Sequence, residues 1–397
     1  MNKRVKTIIY ECDHSGHRLD YVGYLINWIT NNSIDFEEFI FIITPELLNS
    51  LNENGYSTIK VNIQLITKTY KDSKFRALLL QQDLKSELSH FPSVETLIIL
   101  NFDLFQYSSL IFNISKSIRI RSIWFRPFHR IENKRFKTKL VKVLKTIWFN
   151  LIGLKYGSRL NLFILNDPEG AEILNRKMLT PNETFRSLPD PIDIKRKIEA
   201  DVVSLRKKHN IGFGSHVFLL IGTIDKKKNV EKTLLGIAAL DSKIEKEILI
   251  AGKVSNSYRE EFHNFISIYT SANPSIKLNV DDRFISSTEF HEYLLLSNIV
   301  LMIYKDFYSS SGIFGHSALY SKPVITSSFG LMKELVNKYG VGLTADPDSK
   351  EEIAEKIKQV LQTPSLQDKF EVYLRDNSTD AFSKQLLLSA FEQRKYK

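Results

Sequence analysis

Short apolar runs alternate along the chain with longer segments in which apolar side chains return every three or four positions. The first pattern predicts buried strands and the second amphipathic helices. Strand candidates in the first half are Lys6–Tyr10, Phe39–Ile43, Val61–Ile66, Thr96–Leu100, Ile120–Phe125 and Leu160–Leu165. The turn-rich stretch Ser187-Leu188-Pro189-Asp190-Pro191-Ile192-Asp193 then breaks the series. A second series follows at Ser215–Ile221, Glu247–Ala251, Ile276–Val280, Ile299–Tyr304, Pro323–Thr326 and Gly342–Thr344. Parallel strands must be joined by crossovers, so this alternation predicts an α/β fold with parallel sheets covered on both faces. A chain of 397 residues is also longer than one hydrophobic core supports. The expectation is two Rossmann-like, doubly wound domains over residues 1–187 and 188–378, with a helix in 379–397 that crosses back onto the first. Ser378-Thr379-Asp380 would cap that helix.

Composition agrees with an ordered globular protein: 43% of residues are apolar, 25% are charged and only 11 are proline. The single cysteine, Cys12, excludes an internal disulfide, fits a reducing compartment and, at the end of an apolar strand, reads as an inert buried thiol. Met1 to Tyr10 is basic and then β-like, without the apolar core and cleavage site of a secretory signal, so a cytoplasmic location is expected. No apolar run approaches the roughly 18 residues that span a bilayer. The formal charge of +10 draws polyanions, and its distribution narrows the choice. Between Glu132 and Asp167 there is no acidic residue, while Lys134, Arg135, Lys137, Lys139, Lys142, Lys145, Lys155 and Arg159 alternate with apolar side chains. Lys134–Phe149 therefore reads either as a basic helix for an anionic membrane surface, making the protein peripheral on the inner face of the cell membrane, or as a surface helix packed on its own domain. Nucleic acid is not an expected partner.

Ligands of open parallel sheets bind outside the carboxyl ends of the strands, so residues just after each strand are the candidates. Gly222 follows Ser215–Ile221 and permits close backbone approach, and Lys226, Lys227 and Lys228 put dense positive charge where a phosphate would sit. A solvated lysine run is the plainer alternative. Ser309-Ser310-Ser311-Gly312-Ile313-Phe314-Gly315-His316 follows Ile299–Tyr304 and leads into a helix ending near Ser321. Hydroxyls and a glycine at a helix N-terminus offer unpaired N–H groups and a favourable dipole to a diphosphate, although a serine cap would look the same. Asp346-Pro347-Asp348 has the spacing of a metal-binding Asp-x-Asp string but sits after a late strand and before Ser349-Lys350-Glu351, which reads as a turn and helix cap. No other cluster has metal-site spacing, so neither a metal nor a cofactor is expected. In the first half, Gly16 and His17 lie after the first strand, Asn101 and Asp103 after the fourth, Arg126 and His129 after the fifth, and Asn166 and Asp167 after the sixth. Capping competes with function for both Asn/Asp pairs. Gly212-Phe213-Gly214 lacks a third glycine and precedes its strand, which disfavours a dinucleotide-dependent dehydrogenase.

From Phe218 onward the strings LLIGTIDKKKNVEKTLLGIAAL, EILIAGK and SNIVLMIYKDFYSSSGIFGHSALYSKPVITSSFGLMKELVNKYGVGL resemble the donor domain of family 4 glycosyltransferases of the GT-B fold, of the bacterial surface-polysaccharide type. The resemblance is strongest over Leu188–Leu361. It implies two domains facing across a cleft and transfer of a sugar from a nucleotide-sugar donor, a co-substrate, to a glycan or lipid-linked acceptor. It further implies retention of configuration without a metal, in surface polysaccharide assembly. On this resemblance Lys228 stands at the diphosphate-binding lysine and Thr223 where the family usually has an arginine, which Lys226 or Lys227 could replace. Tyr308 and His316 stand where it usually has two glutamates that contact sugar and ribose. Ser309, Ser310, Ser311, Gly312 and Ile313 would cradle the pyrophosphate, and Gly222, Thr223, Lys227, Lys228 and His316 complete the donor set. Gly16 and His17 occupy the loop that touches donor phosphate and acceptor, and Arg126 and His129 lie near a catalytic-cleft histidine, where either would offset the leaving diphosphate. The missing glutamates leave open a non-catalytic nucleotide- or carbohydrate-binding subunit; a nucleotide-sugar epimerase shares the architecture, but the chain offers no clear set of the acid/base carboxylates it needs.

Overall fold

The structure, a computed structural model, describes residues 5–14, 16–32, 36–66, 68–131, 136–181, 183–363 and 366–388. It divides into two compact units: residues 1–191 with 379–397, and residues 192–378.

In the first unit, strands β1 (Thr7–Tyr10), β2 (Phe39–Ile43), β3 (Asn62–Leu65), β4 (Thr96–Ile99), β5 (Arg119–Ile123), β6 (Leu160–Leu165) and β7 (Phe185–Leu188) form one sheet in the order β3-β2-β1-β4-β5-β6-β7. Every pairing is parallel. Helices α1 (His17–Asn31), α2 (Pro45–Glu53), α3 (Arg76–Ser89), α4 (Phe102–Phe105), α5 (Phe136–Tyr156) and α6 (Pro168–Lys177) make the crossovers. All five side chains of β2 are buried, as covering on both faces requires. Alternation along β1 sends Ile8 and Tyr10 to a core with Leu84 of α3, Phe149 of α5 and Leu174 of α6, and Ile9 to a second core with Leu25 of α1 and Leu47 of α2.

The second unit repeats the plan. Strands β8 (His216–Ile221), β9 (Lys246–Ala251), β10 (Lys277–Asp281), β11 (Ile299–Met302), β12 (Val324–Ser327) and β13 (Gly342–Ala345) lie in the order β10-β9-β8-β11-β12-β13, again all parallel. Its helices are α7 (Val202–Lys208), α8 (Val230–Ala238), α9 (Arg259–Ala272), α10 (Ser287–Leu296), α11 (Gly312–Leu319), α12 (Gly330–Tyr339), α13 (Lys350–Gln362) and α14 (Gln367–Asp376). Asp346 Oδ1 accepts from Asp348 N at 2.9 Å and Ser349 caps α13, so the Asp-x-Asp string is a turn and a cap here.

All twelve strands expected from the pattern are present, with ends shifted by up to two residues. The addition is β7, where Ser187 and Leu188 continue the sheet instead of opening the linker. Its four residues include only two apolar side chains, too few to show periodicity beside a proline-rich turn. The first unit consequently runs to Pro191.

Helix α15 (Thr379–Leu387) packs in the first unit against α1. Phe382 and Leu386 are fully buried in the second core, and Trp28 Nε1 donates to Asp380 at 2.8 Å. The guanidinium of Arg121, buried on β5, donates to the carbonyls of Leu386 and Leu388 at 2.5 and 2.6 Å and satisfies the open end of the helix. Replacing Arg121 by Leu leaves one buried and one partly buried acceptor unmet. We expect a loss of about 2–4 kcal/mol in urea unfolding, with faster hydrogen exchange concentrated in residues 379–388.

Candidate functional site

Both sheets reverse their winding beside the first strand: β1 lies between β2 and β4, and β8 between β9 and β11. Loops leave such a point in opposite directions and open a crevice at the carboxyl ends of the strands. Each unit has a cavity there.

The cavity of the second unit, about 270 Å³, is lined by Gly222, Thr223, Asp225, Lys227 and Lys228 after β8, Tyr304 and Phe307 after β11, and Ser311 and Ile313 at the start of α11. Gly222 adopts φ +95°, and a Cβ there would stand 3.2 Å from Ile313 Cδ1 and 3.5 Å from Lys228 Nζ. The adjoining motif needs a glycine as well, because a Cβ at Gly252 would meet the Gly222 carbonyl at 2.1 Å. Lys226, Lys227 and Lys228 form a 3₁₀ turn capped by the Asp225 carboxylate, which accepts from Lys227 N at 3.0 Å. That turn separates the lysines: Lys226 leaves the cavity for Glu261, 2.5 Å away, while Lys227 and Lys228 line it. The half-buried Lys228 ammonium donates to Ile221 O at 2.6 Å and to Tyr304 Oη at 3.0 Å, and lies 4.6 Å from the centre of that ring. Two of its three N–H donors are thereby used and its position is set. Ser311 is the N-cap of α11, yet its hydroxyl accepts no capping hydrogen bond. The first turn therefore keeps its N–H groups at Gly312 and Ile313 uncapped by that side chain.

The cavity does not take in every expected donor residue. Ser309, Ser310 and Gly312 flank it without lining it. His316 lies one turn further along α11, where its ring packs edge-on against Phe290 at 5.2 Å and His291 at 5.4 Å of α10. Tyr308 packs in a tilted arrangement against Phe329, with ring centres 5.2 Å apart. Tyr304 and Phe307, which the strand-end rule could have flagged, form a T-shaped pair 5.2 Å apart and wall one side.

The cavity of the first unit, about 510 Å³, gathers Asp13, Gly16, His17 and Arg18 after β1, Asn101, Asp103 and Leu104 after β4, Phe125 and Arg126 after β5, and Arg76 from α3. Gly16, at φ +67°, turns the chain into α1, and the exposed His17 ring stacks on Tyr21 at 6.0 Å. Arg76 donates to Asp13 at 2.6 Å, and Arg18 stands 3.9 Å from both Asp13 and Glu11. Burial pushes the Glu11 carboxyl up to about 7, against the opposing pull of the Asp13 N–H and Arg18. Burial likewise pushes the Cys12 thiol up to about 12, so it is an inert buried thiol. Glu11, Cys12 and Asp13 are the one group of potential metal ligands within reach of one another among the described residues, and the guanidiniums of Arg18 and Arg76 stand against them. Asp103 Oδ2 accepts from Phe125 N at 2.8 Å, joining the β4 and β5 ends. Arg18 adjoins a residue already singled out, but Arg76 follows no strand and only folding brings it to the site.

His129 is a correction. Its Nε2 lies 2.9 Å from Asp167 Oδ2, its side chain is 4% exposed, and it does not line the cavity. Asp167 also receives both Arg130 Nε, at 2.7 Å, and Nη2, at 2.5 Å, and caps α6 through Gly170 N at 2.7 Å. The chain turns back three residues after Arg126, so His129 points into a buried ion cluster that holds the β5 loop to α6. Asn166 is structural too, accepting from Asp190 N at 3.0 Å.

Burial alone would raise the Asp167 carboxyl, but hydrogen bonds from Arg130 and His129 outweigh it and hold the group at about 2 instead of 3.8. A depressed folded value stabilises above the unfolded pKa, so about 2 kcal/mol should be present above pH 4 and lost as pH falls from about 4 to about 2. Acid unfolding of Asp167→Asn, compared with the parent, checks this: the variant should lose most of that dependence. His129→Gln should lower thermal stability while leaving ligand binding in the second unit unchanged. In that unit Gly222→Val should fill the cavity and strain the backbone, abolishing whatever nucleoside diphosphate binding the parent shows in calorimetry while the circular dichroism of the fold is kept.

Residues 203–376 match the family model for glycosyl transferases group 1. Among solved structures, HepE from Anabaena, crystallised in complex with UDP and glucose, superposes with a TM-score of 0.68 at 12% identity, covering 99% of this chain and 100% of that one. Sucrose-phosphate synthase from Thermosynechococcus elongatus gives 0.70 at 12% identity, with 99% of each chain covered. WaaG, a glycosyltransferase involved in lipopolysaccharide biosynthesis, gives 0.60 at 11%, with 96% of this chain and 98% of that one covered. No curated protein matches the chain by sequence. The chain therefore has the GT-B fold, and the part of it that matches the glycosyl transferases group 1 model, residues 203–376, lies in the second unit.

Proposed function

We propose that the protein transfers a sugar from a nucleotide-sugar donor to a glycan or lipid-linked acceptor, with retention of configuration and without a metal. The observation that carries this reading is the Lys228 ammonium, aimed by Ile221 O and Tyr304 Oη at a switch-point cavity whose other wall is the start of α11. In this reading the donor diphosphate lies between Lys228, Lys227 and the first N–H groups of α11, and these groups meet the negative charge that grows on the leaving phosphate. Lysine and helix dipole together take the electrostatic place a metal has in other phosphate sites. Thr223 supplies only a hydroxyl where the resembled family has an arginine, and Lys227 is the nearby cation that makes up the charge. HepE is described in complex with UDP and glucose, which supports a nucleoside diphosphate as the ligand class.

The first-unit cavity is the acceptor site in this reading, with His17 and Arg126 exposed at its wall and Gly16 giving the backbone room. WaaG's part in lipopolysaccharide biosynthesis and the cationic segment after residue 132 favour a cell-surface glycan as the product, made by an enzyme held at the cytoplasmic side of a membrane.

Lys228→Ala should weaken binding of UDP, or of whichever nucleoside diphosphate binds the parent, by about 10- to 100-fold in titration calorimetry, the value of one charge-assisted contact. Unchanged affinity would remove the phosphate assignment. A panel of nucleotide sugars incubated with a membrane extract should release nucleotide; tight nucleotide binding with no release on any acceptor would favour the non-catalytic subunit, the reading motivated by Tyr308 and His316.

A further inference from the structure

Helix α5 is apolar on the side it shows to solvent. Leu140, Val143, Leu144, Ile147, Leu151 and Leu154 are between 44% and 72% exposed. At one residue per 100° they fall within a single stripe about 100° wide, running about 21 Å along the helix. The opposite side is core: Phe149, Ile152 and Tyr156 are buried, with Phe149 stacked 4.3 Å from Trp124. A helix apolar on two faces has one face waiting for a partner.

The lysines do not shield the stripe. Lys142 Nζ donates to His129 O and Ile131 O, and Lys155 Nζ to Leu110 O, so both tie the helix to its own unit. The expected Lys134 and Arg135 lie outside the described residues. Neighbouring segments extend the patch. Tyr107 and Ile111, 61% and 64% exposed, lie in the turn that Lys155 and the Trp148 indole hold against α5. Leu179, 75% exposed, is pinned there by its N–H to Asn150 Oδ1 at 2.8 Å. Contiguous apolar surface of this kind marks a place of interaction.

Charge selects the occupant. From residue 133 to 166 the chain has no aspartate or glutamate, so every charge that α5 itself carries is cationic. Two copies meeting stripe to stripe would bring like-charged rims together, whereas anionic headgroups complement the rim and acyl chains accept the leucines. Tyr107 and Trp148, with ring centres 6.4 Å apart, are of the residue types that settle at headgroup level. No described helix is long and apolar enough to cross a membrane.

We propose that α5 lies in the plane of an anionic bilayer and inserts its leucine stripe, with Tyr107, Ile111 and Leu179, at the boundary between headgroups and acyl chains. The contact is then apolar with a cationic rim, the reverse of a basic face resting on lipid phosphates. This deepens the membrane attachment included in the proposed function and does not depend on sugar transfer.

The test is flotation of the full chain with phosphatidylcholine vesicles, with and without phosphatidylglycerol, at low and high salt. The parent should float with the anionic vesicles and keep part of its binding at high salt, because acyl insertion is not screened. The double variant L144D/I147D should lose flotation by about tenfold or more while its melting temperature stays within a few degrees, since both positions are exposed. As a second readout, Ile147→Cys carrying an environment-sensitive dye should shift to the blue on vesicle addition. A parent that does not float, binding abolished entirely by salt, a double variant that floats like the parent, or a dye without a shift would each overturn insertion. A concentration-dependent dimer in light scattering, lost in the double variant without any vesicle binding, would assign the stripe to self-association instead. Nucleotide affinity measured in parallel keeps the two proposals apart, since failure of donor binding leaves flotation untouched.

Discussion

A parallel sheet that is covered on both faces must reverse its winding once, and in each unit of this protein the reversal falls beside the first strand. The site follows from that constraint. It determines that the loops after β1 and β8 diverge from those after β4 and β11, so that a crevice forms without any side chain having to be removed from a core. On the other side of β8, where β9 pairs with it, two backbones come so close that glycine is required: the carbonyl of Gly222 occupies the space a Cβ at Gly252 would need. The lysine turn and the start of α11 then face each other because their strands, β8 and β11, are neighbours.

The two crevices use charge differently. In the second unit the Lys228 ammonium is held by a carbonyl and a phenol, neither of which is an acidic counter-charge. In the first unit arginines face carboxylates, and Arg76 is committed to Asp13. Behind that loop the Asp167 cluster with Arg130 and His129 is closed and buried, and its role is to hold the β5 loop in place. Breaking such a cluster by removing one partner is costly, because the others remain buried and unpaired.

Helix α5 shows how a single element can serve both a core and a surface. Its aromatic face completes the packing around Trp124 while the leucine stripe stays outside, and lysines bonded to loop carbonyls keep the helix from rolling its apolar side inward. The core of the first unit and its proposed attachment surface thus share one helix.

By itself, the sequence determined the α/β class, the twelve strands with strong apolar runs, the lysine turn and the glycine beside it, because those signals are local: a burial period, a turn residue, a run of charge. It also placed Gly16, His17, Arg126, Gly222 and Lys228 at strand ends, and the structure lines the two crevices with them. What only the tertiary structure decided were matters of direction and long-range partnership. Strand β7 was invisible for want of apolar residues, Arg76 reached the first-unit crevice from a helix, and His129 and His316 turned toward Asp167 and α10 instead of their cavities. Which of two apolar faces of α5 would be buried was equally undecided until Trp124 and Phe149 met. Side-chain direction depends on partners distant in the chain, and no local period encodes them.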